Sequence, residues 1–250
     1  MSLDLGAAQV ALWAACAFLF VMGGFVKGTM GVGFPLVVLP TLSLLIPAPQ
    51  AMGMLVMPVL LSNLFQAMEG GNIGYSLRRF GSLLGVQCVV TLFTVKYSSG
   101  LSVENLNLLI AISLLVAVLW MGFKPNLSVP ARYEQVACIL VGALAGFMGG
   151  VSTLTGPFII TLLMALKLTR EQFIGSISII YLAGSLPMYG AMIWYERFGW
   201  FEVGLSALGL LPMFAGLQMG KIVRHRLSEE TFRKILLFYL LVLALVLAFK

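Results

Sequence analysis

The sequence predicts an all-α integral membrane protein made of two inverted repeats, each a re-entrant helical hairpin followed by three transmembrane helices. Three observations lead there. Hydrophobic residues make up 60% of the 250-residue chain and charged residues 10%, with a mean hydropathy of +1.04, whereas a water-soluble domain carries about 25% charge. The apolar stretches are continuous instead of alternating with period two, which argues against a β-barrel. Two Gly-rich interruptions, one in each half, repeat the same glycine spacing, and each runs into a proline. At roughly 20 apolar residues per span, a chain of this length holds around eight spans with short loops and no soluble domain.

The elements follow in order. The first apolar stretch, 7–26, carries Asp4 ahead of it where a cleavable signal has basic residues, and it runs directly into glycines. It therefore reads as mature structure. The first interruption, Gly23 to Pro35 (GGFVKGTMGVGFP), separates it from 34–46, which is too short to cross a bilayer. Stretches 51–68, 80–95 and 104–122 supply three spans and complete a first membrane repeat, 1–123. A join near 123–133, from Phe123-Lys124-Pro125-Asn126 onward, leads to the second, inverted repeat, 133–250. There 135–148 enters the second interruption, Gly142 to Pro157, the short stretch is 157–166, and the spans are 173–195, 201–219 and 232–249.

The interruptions match each other. Gly24, Gly28 and Gly31 have the spacing of Gly142, Gly146 and Gly149, and the second copy carries about four extra residues before its proline. Paired short, Gly/Pro-interrupted segments in corresponding halves point to a transporter binding site. With each short segment folded back as a hairpin, the halves insert with opposite orientation. One side then collects Arg78, Arg79, Lys124, Arg132, Lys167, Arg170, Lys221, Arg224, Arg226, Arg233 and Lys234, and the other Lys96, Arg197 and Lys250. Eleven against three makes the first side cytoplasmic and both termini periplasmic.

Candidate binding residues cluster at the interruptions. Lys27 is the one basic residue there. A charge at membrane depth costs at least about 2.5–3.5 kcal/mol and is usually kept for a purpose. Beside free backbone N–H groups and a half-helix N-terminus, it would attract an anion; snorkelling to an interface is the alternative. Glycine spacing matches Lys27 to Ala145 in the second copy, so the site would be asymmetric. Thr29, Ser152, Thr153 and Thr155 offer hydroxyls that donate to anionic oxygens or cap broken helix ends. Gly28, Gly31, Gly33, Gly149, Gly150 and Gly156 permit turns and close backbone approach, with helix packing through small residues as the competing account. Asn63 and Gln66 share a face of the span after the first hairpin, and Tyr181 shares faces with Ser178, Ser185 and Tyr189 in the equivalent span of the second half. Both sets either line a pathway or bond between helices.

Several chemistries are disfavoured. The one histidine, His225, lies in a basic loop, and Cys16, Cys88 and Cys138 stand singly in apolar runs. No metal site, cofactor or disulfide framework is expected. No aspartate occurs within a span, which argues against a Na⁺-binding carboxylate cage and leaves the coupling ion open. No general acid–base pair can be named for an enzyme, and no Walker A motif is present. The net charge of +6 reads as loop lysines and arginines and not as nucleic-acid binding.

The duplicated signature resembles that of the TauE/SafE family of sulfite-exporter-like permeases. The stretches that carry the resemblance are Gly24 to Pro40 (GFVKGTMGVGFPLVVLP) and Gly142 to Pro157 (GALAGFMGGVSTLTGP), and segment order and duplication extend it over nearly the whole chain. The family's usual glycine-rich run is degraded to Gly33-Phe34-Pro35 in the first half and replaced by Ser152-Thr153 in the second. The resemblance implies transport of a small sulfur-containing or organic anion across the bacterial inner membrane. The leading expectation is a secondary transporter working by alternating access. An anion channel with the same hairpin pore is the alternative, and a membrane-embedded enzyme ranks below both. Expected partners are the anionic substrate and the lipid bilayer, with a homodimer as a further candidate.

Overall fold

The computed structural model describes residues 2–70, 72–122, 128–223 and 229–249. Among them the regular structure is helical: α1 (Ser2–Met30), α2 (Phe34–Leu45), α3 (Ala48–Gly53), α4 (Val56–Gly70), α5 (Ile73–Ser98), α6 (Val103–Gly122), α7 (Glu134–Ser152), α8 (Gly156–Ala165), α9 (Arg170–Trp194), α10 (Trp200–Ser206), α11 (Leu210–Val223) and α12 (Glu229–Ala248). Lys124, Arg224, His225, Arg226 and Lys250 lie outside the described residues, as do the side chains of Glu69, Arg170 and Arg233. Seven helical stretches among the described residues are long and apolar enough to cross a membrane, including Gln9–Met30 and Ala131–Ser152. Phe34–Leu45 and Gly156–Ala165 are too short, as the sequence predicts.

Prolines explain where the observed helices depart from the predicted stretches. Stretch 51–68 is two helices, α3 and α4, because Pro58 has no N–H to continue a ladder from Met54. Stretch 201–219 is likewise split into α10 and α11 by a 3-10 turn, Ala207–Gly209, ahead of Pro212. In the first half α5 begins at Ile73, earlier than the hydropathy suggests, and kinks at Phe80 beside Gly81. Phe80 lies seven residues after Ile73, and Ala207 lies seven after Trp200, so α5 and the α10–α11 pair break at the same distance from their starts.

The helix ends at the two interruptions match one helical turn away from the register that glycine spacing gives. Helix α1 ends where Gly31, at φ +80°, donates its N–H to Lys27 O at 2.7 Å. Helix α7 ends where Thr153, at φ +57°, donates to Gly149 O at 2.9 Å. Gly33 and Thr155 precede the first residues of α2 and α8, and Pro35 and Pro157 are the second residues of those helices. Gly31 therefore corresponds to Thr153, and Lys27 corresponds to Gly149 and not to Ala145. The extra residues of the second copy are one more turn of α7.

In that register the packing is reciprocal. The most extensive contacts join α1 to α11 and α5 to α7, followed by α4 to α9, α5 to α9 and α6 to α12. A Cβ at Gly24 or Gly28 would strike the carbonyl oxygens of Met213 or Leu217 on α11. A Cβ at Gly146 would strike the Gln87 carbonyl on α5, and one at Gly150 would meet Thr94 and the Thr91 carbonyl. Helix α1 thus lies against α11, and α7 against the kinked α5. At the start of α7, Glu134 accepts two hydrogen bonds from Arg79 of α5, at 2.5 and 3.0 Å.

Candidate functional site

The short helices α2 and α8 both begin at one buried cavity of about 40 Å³, room for about three water molecules. Lys27 from α1, Asn63 from α4, Thr153 and Thr155 from the second interruption, and Tyr181 and Tyr189 from α9 supply its polar lining, with Phe34 and Met188 among the apolar walls. Neither short helix is capped by a side chain, and Pro35 and Pro157 fix their first turns. Their unpaired first-turn N–H groups and positive dipole ends therefore lie at the cavity.

Lys27 is 4% exposed. Its ammonium donates to Asn63 Oδ1 at 2.6 Å, and among the described residues no carboxylate lies within ion-pair reach of it. Opposite it stand groups with unused capacity: Thr153 Oγ1, Tyr181 OH and Tyr189 OH are buried without a hydrogen-bond partner among the described residues. Buried hydroxyls normally find partners. Three orphans around one lone cation make a wall of donors that a small polar guest would satisfy. Thr153 is also a β-branched residue in the left-handed region, a strained conformation that clusters at functional positions.

The structure brings together Lys27, Gly33, Asn63, Thr153, Thr155, Gly156 and Tyr181 from the expected set. Gln66 stands beside them, donating to Gly31 O at 3.2 Å, so α4 holds the first interruption through both Asn63 and Gln66. The remaining expected residues do not line the cavity. Gly28 meets α11, Gly149 and Gly150 are helical residues packed against Thr155 and Thr94, and Thr29 and Ser152 donate back to carbonyls of their own helices. Ser62, Ser185, Met188 and Tyr189 complete the lining. Of these, Ser185 and Tyr189 share a helical face with Tyr181 in the sequence, whereas nothing in the sequence marks Ser62.

A second buried cation, Arg197, sits in the turn between α9 and α10. It donates to Gly150 O at 2.7 Å and to Ser98 Oγ at 2.5 Å, tying the end of α7 to the end of α5. Burial pushes its guanidinium down to about 10. No sequence signal separates it from an ordinary loop arginine.

Residues 16–247 match a family model described as Sulfite exporter TauE/SafE. The chain belongs to that family. TauE/SafE proteins are membrane permeases, so this chain is a multi-pass membrane protein with a role in transport. The match spans both interruptions and therefore every residue that lines the cavity. No curated protein and no solved structure matches the chain.

Proposed function

We propose that this TauE/SafE protein is a secondary transporter that carries a small sulfur-containing or organic anion across the bacterial inner membrane. The observation that carries this reading is the lone Lys27 ammonium in a cavity where two uncapped helix starts meet. A buried cation with no carboxylate partner is costly until a mobile anion pairs with it. Alternating access would proceed by movement of the two hairpins around this cavity, in an inverted-repeat arrangement with both termini periplasmic. The reciprocal packing of α1 on α11 and α7 on α5 supports that arrangement. The test is a thermal-shift screen of the purified protein against sulfite, sulfate, thiosulfate, sulfoacetate and carboxylates, followed by flux in proteoliposomes. A ligand that binds only the folded state raises apparent stability. One of these anions should do so and should cross at a saturating rate. Flux that rises linearly with concentration at channel rates refutes the carrier reading, and no stabilisation by any anion refutes the site.

A further inference from the structure

We infer that the cavity selects anions by valence: it takes a small, singly charged oxyanion with a compact apolar end, such as a short alkanesulfonate, and rejects doubly charged anions of the same shape. The inference rests on the anion-carrier reading above and names the class of anion which that reading leaves open.

Charge sets the valence. Among the described residues, Lys27 is the one charged side chain that lines the cavity. It is 4% exposed, and its partner Asn63 is an uncharged amide. Arg197, the other buried cation, is committed to Gly150 O and Ser98 Oγ and lies outside the lining. The starts of α2 and α8 add partial positive charge. Helices α1 and α7 end at the same two breaks, at Met30 and Ser152, and their negative dipole ends oppose it. One full positive charge therefore remains. A monoanion beside it leaves the site neutral, whereas a dianion leaves one negative charge buried and unpaired, which is strongly unfavourable.

Donors and walls set the shape. An ammonium has three N–H donors, and Asn63 Oδ1 takes one of them. The hydroxyls of Thr153, Tyr181 and Tyr189 add three donors with no partner among the described residues. Those of Ser62 and Ser185 are already used on Val59 O and Leu182 O of their own helices. The free donors are thus numerous enough for the oxygens of one sulfonate and are all uncharged except the ammonium. Phe34, Leu36, Val59, Leu154 and Met188 supply apolar wall, which suits a methyl group and offers nothing to a second charged group. A volume of about 40 Å³, room for about three water molecules, admits an anion of only a few heavy atoms.

The experiment sets methanesulfonate against thiosulfate and sulfate on the purified full chain, by thermal shift and calorimetry. All are tetrahedral at sulfur, but methanesulfonate is a monoanion and the others are dianions. Thiosulfate differs from methanesulfonate in carrying a terminal, charged sulfur where the other has a methyl group. Methanesulfonate should bind at least about a hundredfold more tightly than either dianion. Placing the extra charge on the protein should act in the same way. Asn63→Asp keeps the shape of the side chain and gives Lys27 a carboxylate partner, so it should bind methanesulfonate about a hundredfold more weakly than the wild type. Thiosulfate or sulfate bound within about tenfold of methanesulfonate, or more tightly, overturns selection by valence and leaves the anion reading intact. Wild-type affinity for methanesulfonate in Asn63→Asp also overturns it, by showing that net charge in the cavity does not govern binding. No binding of any of the three, or of sulfite, overturns the anion reading itself.

Discussion

Replacing Thr153 with Val should stabilise the empty protein and weaken its hold on the anion at the same time. Thr153 Oγ1 is buried with no partner among the described residues, and an orphaned buried hydroxyl costs about 1–3 kcal/mol. Valine keeps the branched shape, so the packing and the strain at φ +57° are common to both proteins and cancel. The variant should gain about 1–2 kcal/mol, a rise of roughly 2–8 °C in Tm for a chain of this size. The same hydroxyl, donated to a charged oxygen, is worth about 1.5–3 kcal/mol, so its removal should weaken affinity at least about tenfold. Thermal denaturation without anion, then titration with the anion found by screening, measures both. A higher Tm with unchanged affinity would refute the ligand role. A lower Tm would show that the hydroxyl is bonded within the fold and is not held in reserve.

Four further outcomes are expected. Lys27→Met should weaken anion binding about ten- to a hundred-fold, about 1.4–3 kcal/mol, with Lys27→Arg recovering part of the loss; wild-type affinity in the methionine variant, by calorimetry, would remove Lys27 from the site. Gly31→Val should abolish flux because Gly31 sits at φ +80°, and Gly31→Asn should restore some of it, since Asn tolerates the left-handed region; at Gly149, which is helical, Asn should recover nothing. Gly28→Leu should cost about 1–3 kcal/mol of stability by pushing α11 away, whereas Gly81→Leu, which meets open space, should change Tm little. Reporter fusions within 123–133 and 220–234 should be active in the cytoplasm, and a cytoplasmically active fusion at residue 250 would refute the inverted topology.

Composition and run length reveal the helical class and the two short helices, because a bilayer imposes length directly on apolar stretches. Lys27, Thr153, Thr155 and Tyr181 were legible for the same kind of reason: charge and hydroxyls are conspicuous at an apolar break. The register between the halves was not. Glycines four apart pack helices along one face, and such a pattern looks alike after a shift of one turn. Gly31 thus pairs with Gly149 on spacing, whereas the left-handed cap that ends the helix pairs it with Thr153. Ser62 and Arg197 were hidden for physical reasons: Ser62 bonds back to Val59 O of its own helix and reaches the cavity only through the way α4 packs, and Arg197 acts through Ser98 and Gly150, distant in the chain.

The exchange of partners between the halves has a consequence for biogenesis. The glycine face of α1 at Gly24 and Gly28 is made to receive α11, whose matching Gly216 and Gly220 lie about 190 residues later in the chain. At a synthesis rate of about 5–20 residues per second, α1 waits roughly 10–40 s in the bilayer before its partner exists. Helix α5, by contrast, meets α7 after a far shorter interval. The second half therefore has a docking face ready when it emerges, while the first helix depends on lipid or on the insertion machinery to cover its exposed backbone until translation is nearly finished.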